Sequence, residues 1–293
     1  VVVDEFQVMF YDCHFKSTTE YEFYKLLQDF PNVVFLSATP FLEKYLDLLD
    51  FFKTMTMYEL EWPASVMEKP AVKVIKTSQS ITKLCTGIIE CYRKGKGETT
   101  IIKGSEFRAE EAVFYINSVK EMVKVIKALK LRPDEVNIIC SSTLENIDKL
   151  KALSKETGMK YKIGDIPGKG ESHKMFTLCT STVYVGADFY STNAYSYIFA
   201  NPHVESLTID ISVDIQQIIG RQRLEANPFR NKATLYFKTK ASELTEDVLD
   251  ESIRQKNEKT MKQIDNFRSA PHKTDFIEAL NKTESQGELL LHQ

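Results

Sequence analysis

Short runs of β-branched and aromatic residues recur along this chain, and amphipathic stretches separate them. No other feature constrains the fold as much, because strands that alternate with helices pair in parallel within one sheet. The runs lie at 1–3, 33–36, 112–116, 136–140, 174–179, 195–199 and 233–237. Between the first two, 18–29 carries Tyr21, Phe23, Tyr24, Leu26 and Leu27 and reads as a helix. The clearest helix is 118–130, with Val119, Met122, Val123, Ile126 and Leu129 on one face and Lys120, Lys124 and Lys127 on the other. Residues 41–52 are expected to be helical and 55–62 extended. Pro63 and Pro70 then bracket a boundary, since each removes a backbone donor and biases its predecessor away from helix. Beyond 241 the texture turns to mixed charge with helical bias. The fold class is α/β with parallel sheet.

Composition narrows the function classes. At 293 residues, 43% hydrophobic and 27% charged, the chain has the make-up of a folded protein of about two domains. Its longest apolar runs, such as 33–36, fall far short of the roughly 20 residues that a bilayer span needs. With 38 basic against 41 acidic residues the net charge is −3, so nucleic-acid binding would have to come from a local basic surface. The five cysteines are scattered and never spaced Cys-x-x-Cys, which reads as reduced, buried thiols and not a disulfide framework or zinc ribbon. The chain opens on Val1-Val2-Val3 without an initiator Met or signal sequence, and is expected to be a fragment whose upstream part is missing.

Four constellations carry chemistry. Asp4-Glu5 ends an apolar strand, where a carboxylate can hold Mg²⁺ directly or through water and a second can take a proton from an attacking water. Ser37-Ala38-Thr39-Pro40 ends the next strand with small hydroxyl groups. Thr180 to Asp188 follows another strand; Gly186 permits a backbone geometry that other residues resist, and Asp188 is placed to meet a hydroxyl or a cation. Gln216 to Arg223, read as helical, brings two guanidiniums beside Gly220, a pattern suited to phosphate. Each alone also has an ordinary structural reading.

In this order the four resemble the motor core of superfamily 2 helicases and translocases, the DExD/H-box group. Asp4-Glu5-Phe6-Gln7 resembles motif II, Ser37-Ala38-Thr39 motif III and Phe114 to Ser118 motif IV; Thr180, Gly186 and Asp188 have the spacing of motif V, and Gln217 to Arg223 resembles motif VI. The resemblance covers roughly 1–238 and implies tandem RecA-like parallel-sheet domains. Residues 1–68 would be the C-terminal part of a truncated ATP-binding domain and 69–241 the second RecA-like domain; outside the resemblance, 242–293 reads as a helical tail or accessory segment, open to clamping the second domain or recruiting a protein partner. It implies ATP and Mg²⁺ as cofactors and DNA or RNA as partner, DNA favoured, with no membrane. Cytoplasm of a bacterial or viral system is the expected setting.

By the same resemblance, Asp4 would coordinate Mg²⁺ and Glu5 act as general base. Ser37, Ala38 and Thr39 would couple nucleotide state to strand separation. Gly186, Asp188 and Gln217 would lie near the nucleotide, and Asn117, Ser118 and Thr180 near the nucleic-acid backbone. Arg221 and Arg223 would face the γ-phosphate. The family's second arginine lies four residues after the glycine, where this chain has Leu224, so Arg223 is the substitute finger and Arg221 the alternative.

No Walker A loop is present: Gly164-Asp-Ile-Pro-Gly-Lys-Gly170 has three residues between its first glycines and no Ser or Thr after Lys169, and reads as a loop of the second domain. From 149 to 174, seven lysines face three acids, either a phosphate-binding patch or a solvated surface. The five histidines, isolated from carboxylate or cysteine clusters, receive no role. Two rivals remain. One is a non-catalytic helicase-like scaffold, favoured by the missing phosphate loop; the other is a P-loop ATPase acting on something other than nucleic acid.

Overall fold

A computed structural model describes residues 1–6, 13–37, 52, 54–61, 63, 69–184, 186–211 and 213–239, with six single positions between 251 and 269. Ala38, Thr39, Gln7, nearly all of the helix expected over 41–52 and most of 242–293 lie outside these residues. The chain divides into two compact units, 1–61 with 242–293, and 62–241.

In the first unit, β1 (Val2–Val3) pairs in parallel with β2 (Val34–Phe35) through α1 (Cys13–Gln28). The helix starts five residues before the expected 18 because nothing between Cys13 and Thr18 breaks it. The ladder continues past the strand ends, with Leu36 N–H donating to Val3 O (2.8 Å) and Phe6 N–H to Leu36 O (3.2 Å). Val3, Phe6 and Leu27 are its buried core, with Phe35 and Phe52 rings packed against it at 4.8 Å between centroids. Residues 55–61, expected to be extended, join no strand.

The second unit is built on six parallel strands in the order β3 (Ala71–Lys76), β10 (Lys232–Phe237), β9 (Ala194–Ala200), β6 (Glu111–Tyr115), β8 (Phe176–Cys179), β7 (Val136–Ile139). β6 is buried on both faces, as parallel strands covered by crossovers are. Its alternate residues serve separate cores: Ala112 and Phe114 join the helices α2 (Ile81–Arg93), α3 (Val119–Leu129) and α4 (Leu144–Thr157), while Val113 and Tyr115 join the short α5 (Asp214–Ile219). An antiparallel hairpin, β4 (Thr99–Ile102) and β5 (Ser105–Arg108), stands between α2 and β6. No described helix is long and apolar enough to cross a membrane.

Local chemistry explains the boundaries. Ser118 caps α3, its hydroxyl accepting from Glu121 N–H, the Ser-x-x-Glu arrangement that fixes a helix start. Val125 is buried although the expected stripe omitted it, because α3 lies between α2 and α4 and so buries a wider face. The Gly164–Gly170 segment runs against the outer edge of β7: Gly164 N–H donates to Ile138 O (2.8 Å) and Asn137 Nδ2 to Asp165 O (2.8 Å). A Cβ at Gly164 would fall 1.9 Å from Asn137 Oδ1, so this glycine serves close packing at a sheet edge. Cys85, Cys140 and Cys179 are buried as expected, whereas Cys91 is exposed.

Phe114 is fully buried, with its ring 5.4 Å from that of Tyr197 and 6.2 Å from that of Phe199. Phe114→Ala is expected to lower unfolding free energy in denaturant titration by about 3–5 kcal/mol. Ile101→Ala, on the exposed hairpin, is expected to change it by less than about 0.5 kcal/mol.

Candidate functional site

At the end of β1 the backbone turns sharply. Glu5 has φ +52°, a left-handed conformation that costs a non-glycine residue about 1 kcal/mol, and its N–H donates to Asp4 Oδ1 at 3.0 Å. The Asp4 side chain is exposed and Glu5 is half-buried. Because Phe6 N–H bonds Leu36 O, the Asp4–Glu5 turn lies beside the end of β2, where Ser37 follows. Among the described residues no group of three or more His, Cys, Asp or Glu side chains forms a metal cage. Mg²⁺ seldom uses one; it takes one or two carboxylates together with phosphate oxygens and water, and an exposed Asp4 at a strand end fits that need.

In the second unit, Asn117 and Thr180 follow the neighbouring strands β6 and β8. Asn117 Oδ1 accepts from Ser181 N–H (3.0 Å), tying the two strand ends together. Thr180 is buried, with its hydroxyl 3.0 Å from that of Thr182, and the Ser118 hydroxyl is engaged as the α3 cap. Gly186, at φ +74°, turns the crossover back toward Asp188.

Asp188 and the arginines meet where two return segments run side by side. Phe189 and Gln222 form a parallel bridge, with Phe189 N–H donating to Arg221 O (2.8 Å) and Arg223 N–H to Phe189 O (2.9 Å). Asp188 and Tyr190 flank one bridge residue, Arg221 and Arg223 the other. The matched Asp-x-Tyr and Arg-x-Arg spacings were readable in the chain as a two-residue period, but the reading of 216–223 as one helix hid them. The structure corrects it: α5 ends at Ile219, Gly220 follows as its cap, and both arginines lie beyond.

The two guanidiniums have different surroundings. Arg221 is only 6% exposed; its Nε donates to Gln217 O (2.9 Å), one Nη to Gln217 Oε1 (3.0 Å) and the other to Ala187 O (3.4 Å). Gln217 is itself buried, held against Arg221. The Arg223 side chain is 48% exposed, and its Nε donates to Asp188 Oδ1 at 2.8 Å. Its two Nη groups make no hydrogen bond among the described residues, so the outer fork is open for bidentate contact with an anion. Arg221 Nη1 lies 3.9 Å from the same carboxylate, and Tyr190 donates to Asp188 Oδ2 at 3.4 Å. The Arg223 hydrogen bond, then the charges of both arginines, hold the Asp188 carboxyl below the usual range against partial burial.

The lysine-rich stretch is less available than its composition implies. Lys149 pairs with Glu145 (2.7 Å), Lys151 with Asp148 (3.3 Å), and Lys174 Nζ donates to Pro133 O and Val136 O. Lys155, Lys160, Lys162 and Lys169 are exposed and form no ion pair among the described residues.

No protein-family model matches the chain, and no curated protein matches it.

Removing Arg221 leaves the buried Gln217 Oε1 without one of its donors, so Arg221→Ala is expected to lower unfolding free energy by about 2–4 kcal/mol. Arg223→Ala is expected to cost at most about 1 kcal/mol, as an exposed pair does. Because the Asp188 pKa is depressed by folding, its contribution is present above the ordinary aspartate range, about 3.9, and is lost as pH falls through the lower folded value. Asp188→Asn is expected to flatten the acid limb of the stability profile, checked by denaturant titration from neutral pH downward.

Proposed function

We propose that the protein is an ATP-dependent nucleic-acid helicase or translocase of superfamily 2, with tandem RecA-like domains and DNA the favoured polymer. The observation that carries this reading is the division of labour between the arginines: Arg221 is consumed inside the fold, and Arg223 presents a free guanidinium fork beside Asp188. A motor needs one such always-charged group aimed at phosphate, held in place and unspent. Asp4 and Glu5, at a strand end beside Ser37, supply the complementary acidic set.

In this reading Asp4 would hold Mg²⁺, and the ion would supply charge neutralisation at the transferring phosphate oxygens. Glu5 takes the proton from the attacking water. Arg223 stabilises the transition-state charge, with its Nε fixed by Asp188 so that little side-chain freedom is lost when the fork engages. Arg221 and Gln217 form the buried base on which the Arg223 segment rests. The exposed Lys155, Lys160, Lys162 and Lys169 offer a sequence-independent contact to nucleic-acid phosphates, and the segment beyond 241 is an accessory region able to recruit a protein partner.

The absence of a Gly-x-x-x-x-Gly-Lys-Ser/Thr loop from these 293 residues favours a second reading, a helicase-like scaffold that binds without turnover. ATP hydrolysis by the full-length protein, with and without single-stranded DNA or RNA, separates the two. The motor reading expects stimulation by one polymer, loss of turnover with retained ATP binding in Glu5→Gln, and a fall in kcat of roughly a thousand-fold in Arg223→Ala. Polymer binding with no turnover in the unaltered protein supports the scaffold, and undiminished turnover in Glu5→Gln removes the general-base role.

A further inference from the structure

The β4–β5 hairpin has exposed apolar residues and an open edge. Its two-residue turn, Lys103-Gly104, has φ +50° and +82°, the left-handed pair that closes a tight hairpin. Ile101 is 73% exposed, Phe107 41% and Ile102 38%, and none of them joins a buried core cluster. The base is firmly anchored: Arg108 Nη1 donates to Gly95 O (2.9 Å), Ala109 N–H to Glu98 O (2.8 Å), Tyr197 to Glu98 Oε1 (3.3 Å), and Lys232 Nζ to the Thr100 hydroxyl. A two-stranded ribbon is marginal by itself in water, and exposed apolar residues beside an open edge are where further strands would add.

The ladder identifies which backbone groups are open. In a two-residue hairpin the residues flanking the turn, Ile102 and Ser105, exchange hydrogen bonds, and such pairs alternate with non-bonded ones. Thr100 with Phe107 is therefore bonded, consistent with the Ala109–Glu98 bond one step further, and Ile101 with Glu106 and Thr99 with Arg108 are the non-bonded pairs. Glu106 and Arg108 thus point their N–H and C=O groups outward along the free edge of β5, where these groups have no partner among the described residues.

That edge is complementary to itself. Two β5 strands laid antiparallel about a twofold axis at Phe107 place Glu106 of one copy opposite Arg108 of the other, twice. These are the residues whose backbone groups face outward, so both oppositely charged pairs fall at hydrogen-bonded positions, and Phe107 meets its twin at the closer, non-bonded position. The free edge of β4, with Thr99 and Ile101 outward, has no such charge match. We propose that a second copy of this chain docks on β5, joining the two hairpins into a four-stranded antiparallel sheet and making the protein a symmetric dimer. The hairpin immediately precedes β6 and so stands at the N-terminal end of the parallel strands, whereas Asn117 and Thr180 follow the C-terminal ends.

Sedimentation velocity of the full chain over a concentration series tests this. A concentration-dependent species of twice the 33.7 kDa chain mass is expected. Glu106→Arg and Arg108→Glu each set like charges opposite one another and are expected to raise the half-dimerisation concentration by about tenfold or more. The double variant Glu106→Arg/Arg108→Glu restores complementarity and is expected to dimerise again, and the two single variants mixed are expected to pair with each other. Glu106 is exposed and takes no part in the anchoring bonds, so unchanged circular-dichroism melting is expected for Glu106→Arg and separates loss of docking from loss of fold, whereas Arg108→Glu also gives up the hydrogen bond to Gly95 O. A chain that stays monomeric, one whose hairpin instead takes a single-stranded oligonucleotide or another protein, or a dimer indifferent to the charge reversals overturns the proposal.

Discussion

From Ala112 to Tyr115, β6 is shut off from water on both faces, so the only partners its backbone polar groups can find are the strands on either side. β8 and β9 must therefore flank it in register, and each must reach that place by a crossover, because a parallel partner cannot be made by a tight turn. The rest of the second unit follows from this. Three helices cover the face of Ala112 and Phe114, α5 and the turn at Ser181–Val183 cover the other, and polar side chains appear where the ladder stops. Asn117 sits at such an end and serves the backbone there, its side chain accepting from the Ser181 N–H.

The same crossovers produce the charged cluster. Two return segments, one toward β9 and one toward β10, run close enough to share a single bridge at Phe189 and Gln222. The period of two around that bridge puts Asp188 against two arginines. Desolvation then separates their roles: a guanidinium held at 6% exposure must spend its donors on Gln217 and Ala187, whereas one at half exposure can keep its fork open. The same residue type four places beyond the end of α5 and two places beyond it thus becomes, respectively, a surface reagent and an internal strut.

Much of the fold was legible in the residues. Every strand expected after 110 is present within two residues of its place, because central parallel strands are continuous apolar runs, and α3 announced itself through Ser118 and Glu121 as well as its stripe. What went unread had weaker local signals. β3 reads Ala-Val-Lys-Val-Ile-Lys, the half-polar pattern of an edge strand, and the hairpin turn uses Lys-Gly where Asn-Gly would have been conspicuous. At the site, residue types and order pointed to acid–arginine chemistry, but burial could not be read from them. Two arginines two residues apart look equivalent in a sequence. The end of α5 at Ile219 and the burial of Arg221 distinguish them, and the Arg221 bond to Ala187 O spans 34 positions of the chain.

Lysine content misled for a related reason. A charge excess in sequence counts side chains, whereas a phosphate meets only those without a carboxylate or carbonyl already in reach. The helix α4 places Glu145 and Asp148 one turn before Lys149 and Lys151, and the strand edge at Val136 captures Lys174, so a run of seven reduces to four. The hairpin shows the converse. Its segment is unremarkable in net charge, yet the order Glu-Phe-Arg, set on an edge whose outward groups are those of Glu106 and Arg108, gives it a directional complementarity that no count of charges contains. In both places the geometry of a strand or helix decides which charges are spent within the chain and which remain for something outside it.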